Sequence, residues 1–239
     1  MGDKNVFVMI PTYNEKENIE PLLDEVLMHN VNVVVVDDNS PDGTWRLVQD
    51  IASRDRRVNL LLRKKDKGRG RAGRDGFKYC LNKGADIVIE MDGDFSHHPK
   101  YIPLMLKEIK NADVVLGSRV VAGGVDARPS IARRIITKGA NAYLRLLLGL
   151  RVGDCNSGYR CFRREVLEEI GVNNIESVGP SIVQEVLFKA SLKGFKISEV
   201  PIVFKDRELG SSKLGAKHLA SGYFMALKFA AMHKLGRLK

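Results

Sequence analysis

Short apolar runs alternate with amphipathic stretches along the first half of the chain. Continuous apolar runs are typical of strands that are covered on both faces of a parallel sheet, and apolar residues spaced by three and four positions, as in Ile19–Leu27, predict helices. The predicted strands are Val6–Ile10, Val31–Val36, Val58–Leu62, Ile87–Met91 and Asp113–Ser118. Regular alternation of strands and helices favours an open α/β sheet with right-handed crossovers.

The second half of the chain is less regular. It predicts, in order, a loop at Val120–Pro129, a helix at Ile131–Leu148, a turn-rich segment at Asp154–Arg164, a helix at Pro180–Lys193 and a strand at Ile197–Phe204. The terminal segment 216–239 mixes apolar and basic residues, which is typical of a basic amphipathic helix. We therefore expect a domain of residues 1–215 and a helical tail, 216–239, that either packs on the domain or lies in a membrane interface.

Composition limits the class of protein. With 239 residues, 44% of them hydrophobic and 28% charged, the chain is expected to be globular. No run approaches the roughly 18 apolar residues of a membrane-spanning helix, and no signal-peptide pattern is visible at the start. Three cysteines are too few for a disulfide scaffold, so we expect reduced thiols and a cytosolic environment. The net charge of +10 indicates an anionic partner, such as nucleic acid, a membrane surface or a phosphorylated substrate.

Polar residues directly follow four of the predicted strands. Asp92 and Asp94 end the fourth strand, Pro11–Glu15 and Asp37–Asp42 follow the first two, and Arg119 follows the fifth. Carboxyl ends of parallel strands lie at one edge of a sheet, where ligands of open α/β proteins bind. Two carboxylates at such an edge suit a divalent cation that also holds phosphate oxygens. Ordinary turn chemistry explains any one of these ends, but the four together favour a binding site.

A glycine-rich segment, Gly68–Gly73, matches the G-x-G-x-x-G pattern of dinucleotide-binding proteins. It follows the third strand instead of the first and contains two arginines, so we interpret it as a basic loop that faces phosphate. No phosphate-binding P-loop pattern occurs. His97 and His98 follow the aspartates; since adjacent side chains usually point in different directions, we expect a supporting role for them, not paired metal ligation.

Several segments occur in an order and at separations that resemble a known family. They are PTYNE, VVDDNSPDGT, DGDFSHHP, GSR, ARRIITKGAN and DRELGSSK. Together they resemble the inverting GT-A glycosyltransferases of family two, and most closely the dolichyl-phosphate (polyprenyl-phosphate) mannose synthases, over nearly the whole chain. The resemblance implies a GT-A fold, which is an open, mostly parallel α/β sheet with helices on both faces, here followed by a C-terminal amphipathic helix. Residues 1–215 would be the GT-A catalytic domain.

The resemblance also implies roles for individual residues. The nucleotide sugar would be bound by Pro11, Tyr13, Glu15, Val36, Asp38, Lys67, Asp92, Gly93, Asp94, Arg207 and Lys213. The acceptor phosphate would be bound by Arg119, Arg133 and Thr137. Asp94 would be the main ligand of Mg²⁺ or Mn²⁺, with Ser96, where the family often has glutamine, as a second ligand or a water-mediated one. Asp94 and Arg207 would be catalytic, because the cation and the guanidinium stabilise charge on the leaving diphosphate.

The implied reaction is transfer of mannose from GDP-mannose to dolichyl or polyprenyl phosphate, with inversion, in support of glycosylation. The acceptor phosphate is already ionised, so no strong general base is required. Expected partners are GDP-mannose, the lipid phosphate, a membrane surface and a separate membrane-protein subunit, but no nucleic acid. The expected location is peripheral, on the cytoplasmic face of a membrane.

Three other functions are compatible with parts of the sequence. A UDP-glucose-dependent glucosyltransferase of the same type differs only in donor selectivity. An NAD-binding Rossmann enzyme would use Gly68–Gly73. A nucleic-acid-binding module would use the positive charge, but the aspartates at the strand ends disfavour it, since carboxylates repel phosphate unless a cation intervenes.

Overall fold

The computed structural model describes residues 4–206 and 216–235. Its strands are β1 (Val6–Thr12), β2 (Asn32–Asp37), β3 (Val58–Leu62), β4 (Ile87–Glu90), β5 (Val114–Ser118), β6 (Val125–Asp126), β7 (Arg160–Arg163), β8 (Ile197–Pro201) and β9 (Val203–Phe204). Its helices are α1 (Lys16–Leu27), α2 (Thr44–Arg54), α3 (Arg69–Asn82), α4 (Ile102–Glu108), α5 (Ile131–Leu148), α6 (Arg164–Glu169), α7 (Ile182–Leu192) and α8 (Ala216–Lys234), with 3₁₀ turns at Pro99–Tyr101 and Val172–Asn174.

Seven strands form the central sheet in the order β3-β2-β1-β4-β7-β5-β8. Neighbouring strands pair in parallel, except that β7 is antiparallel to both β4 and β5. The chain adds β2 and β3 on one side of β1 and β4 on the other, so strand order reverses between β1 and β4. In open α/β sheets this reversal opens a crevice beyond the carboxyl ends of the strands. A second, two-stranded sheet pairs β6 with β9.

Helices cover both faces of the sheet, which confirms the predicted fold class. Residues of β1 alternate between two cores: Phe7 and Met9 pack with α3, α5, α6, α7 and α8, whereas Val8 and Ile10 pack with α1, α2 and α4. All four valines of Val33–Val36 are fully buried. A strand that is covered on both faces has no side chain in contact with solvent, which explains the continuous apolar run in the sequence.

Three predictions for the second half were wrong in detail. The turn-rich segment ends in β7, a strand in the middle of the sheet. The single strand expected at Ile197–Phe204 is divided at Ile202 into β8 and β9, which belong to different sheets, and the loop before α5 contributes β6. β7 is four residues long and has arginine at both ends, so it shows neither an apolar run nor an alternating pattern.

Helix α8 lies against α5 and α7. Ala226, Phe229 and Ala230 are buried in the core, and the rings of Tyr143 and Tyr223 meet edge to face with centroids 5.2 Å apart. Among the described residues, no helix is both long enough and apolar enough to cross a membrane.

Candidate active site

Hydrogen bonds tie the ends of β1 and β2 together at the carboxyl edge of the sheet. The fully buried carboxylate of Asp37 accepts from the hydroxyl of Thr12 at 2.7 Å and from the backbone N–H and hydroxyl of Ser40 at 2.8 and 2.7 Å. The backbone N–H of Glu15 donates to the hydroxyl of Thr44 at 3.0 Å. The loops after these strands are therefore held in one arrangement.

Asp38 is buried next to the loop that joins β3 to α3. One of its oxygens accepts from the guanidinium of Arg63, and the other accepts from the backbone N–H of Gly68 at 2.7 Å. Arg63 also donates to the carboxylate of Asp75 at 2.8 Å and to the carbonyl of Asp66 at 2.7 Å. Arg63 was not predicted as a site residue, although it follows β3 directly and the strand-end argument applied to Arg119 would have found it.

A cleft of about 510 Å³ opens beside this loop. Its walls include Tyr13, Pro41, Trp45, Arg46 and Lys67. The ammonium group of Lys67 lies 5.6 Å from the centre of the Tyr13 ring. Two of the predicted nucleotide-binding residues thus line a single cleft, whose aromatic and cationic walls suit a flat, electron-rich ligand.

The other residues predicted on the donor side lie close to this cleft or beneath it. Pro11 is buried in β1, and Val36 is fully buried against α3, so its side chain belongs to the core. Glu15 accepts from the side-chain amide of Asn18 at 3.0 Å. A Cβ on Gly93 would lie 3.2 Å from a methyl group of Thr12, so the chain passes close to β1 at that position.

Asp94 lies in a tight turn after β4. The hydroxyl of Ser96 donates to a carboxylate oxygen of Asp94 at 2.6 Å, and the backbone N–H of Ser96 donates to the same oxygen at 3.1 Å. Between them, Phe95 has a φ of 60°, a left-handed conformation that is unfavourable for a bulky residue. Such strain is found where the surroundings impose a fixed geometry, often at functional sites.

A buried network of charges lies beneath Asp92. Arg69 approaches Asp92 at 3.3 Å and Glu90 at 2.8 Å. Arg160 donates to the other oxygen of Glu90 through Nε, at 3.0 Å, and through Nη2. Burial would lower the pKa of Arg69, but the charges of Glu90 and Asp92 outweigh burial and raise it. Glu90 is therefore shared by two guanidinium groups, one of which also holds Asp92.

His97 is buried and supports Asp92 from the side. Its Nδ1 accepts the backbone N–H of Asp92 at 3.2 Å, and its ring stacks on Tyr159 with centroids 5.2 Å apart. Burial lowers the pKa of His97, so the imidazole is neutral at pH 7. This placement agrees with the supporting role expected for the histidine.

The acidic turn fits a cation whose remaining ligands come from elsewhere. Within the described part of the chain, no group of three or more histidine, cysteine, aspartate or glutamate side chains could hold a metal by itself. Asp92, Asp94 and Ser96 nevertheless offer carboxylate and hydroxyl oxygens, which are the donors that Mg²⁺ prefers. Proteins commonly bind Mg²⁺ through one or two carboxylates, and substrate phosphates complete the coordination of the ion.

A basic region lies at the end of β5, on the other side of β7. The Nε of Arg119 donates to Asp154 at 2.7 Å and its Nη2 donates to the second oxygen of that carboxylate at 3.3 Å. Its guanidinium lies 4.2 Å from the centre of the Phe204 ring. Asp154 was not predicted as a site residue. Since 35 positions separate it from Arg119, no local pattern in the sequence points to it.

The other predicted residues of the basic region lie on α5. Arg133 is half exposed and lies 3.5 Å from Asp206, and the hydroxyl of Thr137 accepts from Arg128 at 2.8 Å. Arg133 and Thr137 thus lie on one helix, and Arg128 connects Thr137 to the Phe204 ring that Arg119 also contacts. Arg207 and Lys213 lie outside the described residues.

The glycines of Gly68–Gly73 are required by packing against the segment that precedes α7. A Cβ on Gly70 would lie 2.2 Å from the carbonyl oxygen of Ser177, and one on Gly68 would lie 2.6 Å from that of Val178. The backbone N–H of Gly70 donates to the carbonyl of Val178 at 2.8 Å. Close backbone packing thus explains the spacing without a dinucleotide. Arg69 of this motif pairs with Glu90 and Asp92, and the phosphate-facing role of the loop as a whole stays a prediction.

Similarity to known proteins identifies the family of the chain. Residues 7–171 match glycosyl transferase family 2. The chain is 37% identical to the polyprenol monophosphomannose synthase of Mycolicibacterium smegmatis, over 99% of this chain and 91% of that protein. It is 39% identical to the undecaprenyl-phosphate mannosyltransferase of Micrococcus luteus, over 87% of each.

Among solved structures, the Mycobacterium tuberculosis glucosyl-3-phosphoglycerate synthase in complex with Mn²⁺, UDP and glucosyl-3-phosphoglycerate superimposes with a TM-score of 0.68. The match covers 98% of this chain and 80% of that one at 19% identity, so it supports the shared GT-A fold. The family match and the two relatives together carry the assignment of the sequence. The chain belongs to glycosyl transferase family 2.

Proposed function

We propose that this protein transfers mannose from GDP-mannose to a polyprenyl phosphate, such as dolichyl phosphate, with inversion at the anomeric carbon. The names of the two relatives support the sugar and the lipid acceptor. The structural observation that carries the proposal is the pairing of an acidic turn, at Asp92 and Asp94, with the buried guanidinium of Arg119 at the same edge of one sheet. The acidic side suits a cation with the donor diphosphate, and the basic side suits the acceptor phosphate.

On the donor side, the cleft between Tyr13 and Lys67 would take the nucleobase. The full set of proposed nucleotide-sugar contacts is Pro11, Tyr13, Glu15, Val36, Asp38, Lys67, Asp92, Gly93, Asp94, Arg207 and Lys213. For the buried Val36, the contact would be through the backbone. Arg207 and Lys213 would approach the diphosphate from the segment that the structure does not describe.

Asp94 is the proposed main ligand of a divalent cation, Mg²⁺ or Mn²⁺, and Ser96 its neighbour in the same turn. The M. tuberculosis structure contains Mn²⁺, which supports a cation in a protein of this fold. When bound, the cation would supply positive charge for the departing diphosphate. The role of this chain's own residues would be to fix the carboxylate: Ser96 holds one oxygen of Asp94, and the strained backbone at Phe95 sets the turn between the two residues.

On the acceptor side, Arg119, Arg133 and Thr137 are the proposed phosphate-binding residues. A phosphate monoester is ionised at neutral pH, so attack requires orientation more than deprotonation. Asp154 holds Arg119 in place, and the ring of Phe204 lies under its guanidinium. A phosphate bound there could attack the anomeric carbon from the side opposite the leaving diphosphate, which inverts the configuration.

The lipid acceptor would bring the protein to the cytoplasmic face of a membrane as a peripheral protein. Large apolar side chains are exposed on the two packed helices α5 and α8, including Ile131 at 65%, Ile135 at 64% and Phe224 at 69%. The half-exposed Arg133 lies on the same helix, α5, and helices that combine basic and apolar residues favour anionic lipid interfaces. The division into a catalytic domain, 1–215, and a membrane-associating tail, 216–239, is part of this proposal, as is a separate membrane-protein subunit as partner.

A nucleotide panel tests the donor. Thermal unfolding would be followed with GDP, UDP, GDP-mannose and UDP-glucose, each with and without Mn²⁺. We expect the largest stabilisation from the GDP compounds with Mn²⁺, because a ligand bound only to the folded state raises the apparent stability. Stabilisation by UDP-glucose alone would point to the glucosyltransferase alternative and contradict the proposed donor.

Asp94→Asn tests the metal assignment. The variant should lose both the Mn²⁺-dependent part of the stabilisation and mannose transfer, whereas Asp50→Asn, an exposed carboxylate on α2, should keep both. Full activity of Asp94→Asn would remove Asp94 from the proposed site.

Vesicle flotation tests the membrane surface. The double variant Ile131→Ser/Ile135→Ser should bind vesicles containing anionic lipid less than wild type. Met28→Ser is the control: Met28 is apolar and 79% exposed, and it follows α1, which packs on the opposite face of the sheet from α5. Equal flotation of all three proteins would contradict a membrane-facing role for α5.

A further inference from the structure

Arg128, which follows β6, is fixed in the same way as Arg119. Its Nε donates to one oxygen of Asp126 at 2.8 Å and its Nη2 donates to the other at 2.6 Å. The side chain is only 13% exposed. Two parallel bonds of this kind hold the plane of a guanidinium in one orientation.

Arg128 and Arg119 converge on the same aromatic ring. The guanidinium of Arg128 lies 5.5 Å from the centre of the Phe204 ring and that of Arg119 lies 4.2 Å from it. Strand β6 pairs with β9, and Asp126, the partner of Arg128, is opposite Phe204 in this pairing. Arg128 also donates from Nη2 to the hydroxyl of Thr137 at 2.8 Å, which links it to α5.

In each of the two guanidinium groups, the Nη1 nitrogen is the one that could donate to a ligand. Across residues 4–206 and 216–235, neither Nη1 of Arg119 nor Nη1 of Arg128 donates a hydrogen bond to the protein, and neither is a buried unpaired atom. Both are therefore accessible to solvent. The fixed carboxylate partners and the accessible Nη1 groups together form a preorganised receptor for an anion.

We infer that Arg128 is a second guanidinium of the acceptor site, which donates from Nη1 to a phosphate oxygen of the polyprenyl phosphate while holding Thr137 in position. This inference rests on the proposed function, since it takes the acceptor to be a phosphate monoester. Such a group carries a charge of about −1.5 to −2 at neutral pH, so two guanidinium groups match it better than Arg119 alone. The sequence did not indicate Arg128, because it lies in a segment that we expected to be a plain loop.

The chain contains a matched control for this residue. Arg57 forms the same local pair with the aspartate two positions before it: its Nε lies 3.1 Å from one oxygen of Asp55 and its Nη2 lies 2.6 Å from the other. Arg57 immediately precedes β3, so it lies at the opposite edge of the sheet from the candidate site. Replacing Arg57 removes a similar ion pair without touching the proposed acceptor site.

The experiment compares the KM for a soluble short-chain isoprenyl phosphate with the KM for GDP-mannose. Wild type, Arg128→Gln, Arg128→Lys and Arg57→Gln would be assayed, with thermal melts of each. We expect Arg128→Gln to raise the acceptor KM roughly tenfold to hundredfold, the range for loss of a charge-assisted hydrogen bond, and to leave the donor KM unchanged. Arg128→Lys should fall between wild type and Arg128→Gln, and Arg57→Gln should keep both KM values.

An unchanged acceptor KM in Arg128→Gln would overturn the inference, and so would an equal rise in both KM values. Wild-type protein that transfers no sugar to the isoprenyl phosphate would instead refute the proposed function. The role of Arg128 would then be tested by calorimetry, which measures the binding of the isoprenyl phosphate alone. Weaker binding to Arg128→Gln than to Arg57→Gln supports its role, and equal binding overturns it.

Discussion

Replacing Glu90 with glutamine removes one negative charge and almost preserves the shape of the side chain. Glu90 is completely buried at the end of β4, and Arg160 is 1% exposed. Because one oxygen of Glu90 faces Arg160 and the other faces Arg69, the variant leaves two cations against a neutral amide. Loss of one partner from a buried ion pair costs about 3–5 kcal/mol. We expect Glu90→Gln to lose at least this much of its free energy of unfolding.

Urea unfolding and thermal melts measure the effect. A domain of this kind has about 5–15 kcal/mol of stability in total, and 1 kcal/mol corresponds to about 2–4 °C in Tm at this size, so the expected decrease is about 6–20 °C. Asp50→Asn is the control, since the pair of Asp50 with Arg54 has side chains 70% and 73% exposed. A surface pair contributes at most about 1 kcal/mol.

The order of two variants gives a sharper test. Arg160→Met leaves Glu90 paired with Arg69, so it should destabilise the protein less than Glu90→Gln does. A Glu90→Gln variant within about 1 kcal/mol of wild type, or one more stable than Arg160→Met, would refute the conclusion that Glu90 is the shared centre of the network.

Three further predictions concern packing, thiols and the nucleotide cleft. Gly70→Ala, whose Cβ would lie 2.2 Å from the carbonyl oxygen of Ser177, should cost about 1–3 kcal/mol in urea unfolding, whereas Gly139→Ala, which has open space, should cost nothing; equal stability of the two would contradict the packing explanation. Burial raises the pKa of the Cys155 thiol to about 12, so this thiol stays protonated at pH 8. All three cysteines are buried, and we expect alkylation of each only after unfolding, measured by mass spectrometry. Rapid labelling of the native protein would contradict this expectation. Arg63→Met should raise the Kd for GDP roughly tenfold, by loss of charge-assisted hydrogen bonds that fix the cleft wall; unchanged GDP affinity in calorimetry would contradict a positioning role.

The main features of the fold could be predicted from the sequence because buried parallel strands have a simple pattern. Continuous apolar runs identified β1 to β5, and the common direction of parallel strands then implied that Asp94 and Arg119 lie at one edge. The structure agrees with both steps: β1 to β5 form, and β4 and β5 run in the same direction because each is antiparallel to β7. Direct extension of the same rule to β3 would have identified Arg63.

The partners of the site residues could not be predicted in this way. Arg119 reaches Asp154 across 35 positions, and Arg160 reaches Glu90 across 70. Neither partner lies in a recognisable pattern, because the pairing depends on where the antiparallel strand enters the sheet. Which residues form long-range ion pairs is determined by the strand order, and a single sequence does not show the strand order.

One strand that the sequence did not indicate, β7, joins the two halves of the site. Because β7 runs antiparallel to β4 and β5, the segment before it lies at the carboxyl edge of its neighbours. That segment supplies Asp154, which holds Arg119, and Gly158, where a Cβ would lie 3.4 Å from a carboxylate oxygen of Asp92. An inserted parallel strand would have placed its preceding segment at the opposite edge. The reversed direction of β7 therefore lets one short segment contact both the acidic turn and the basic region.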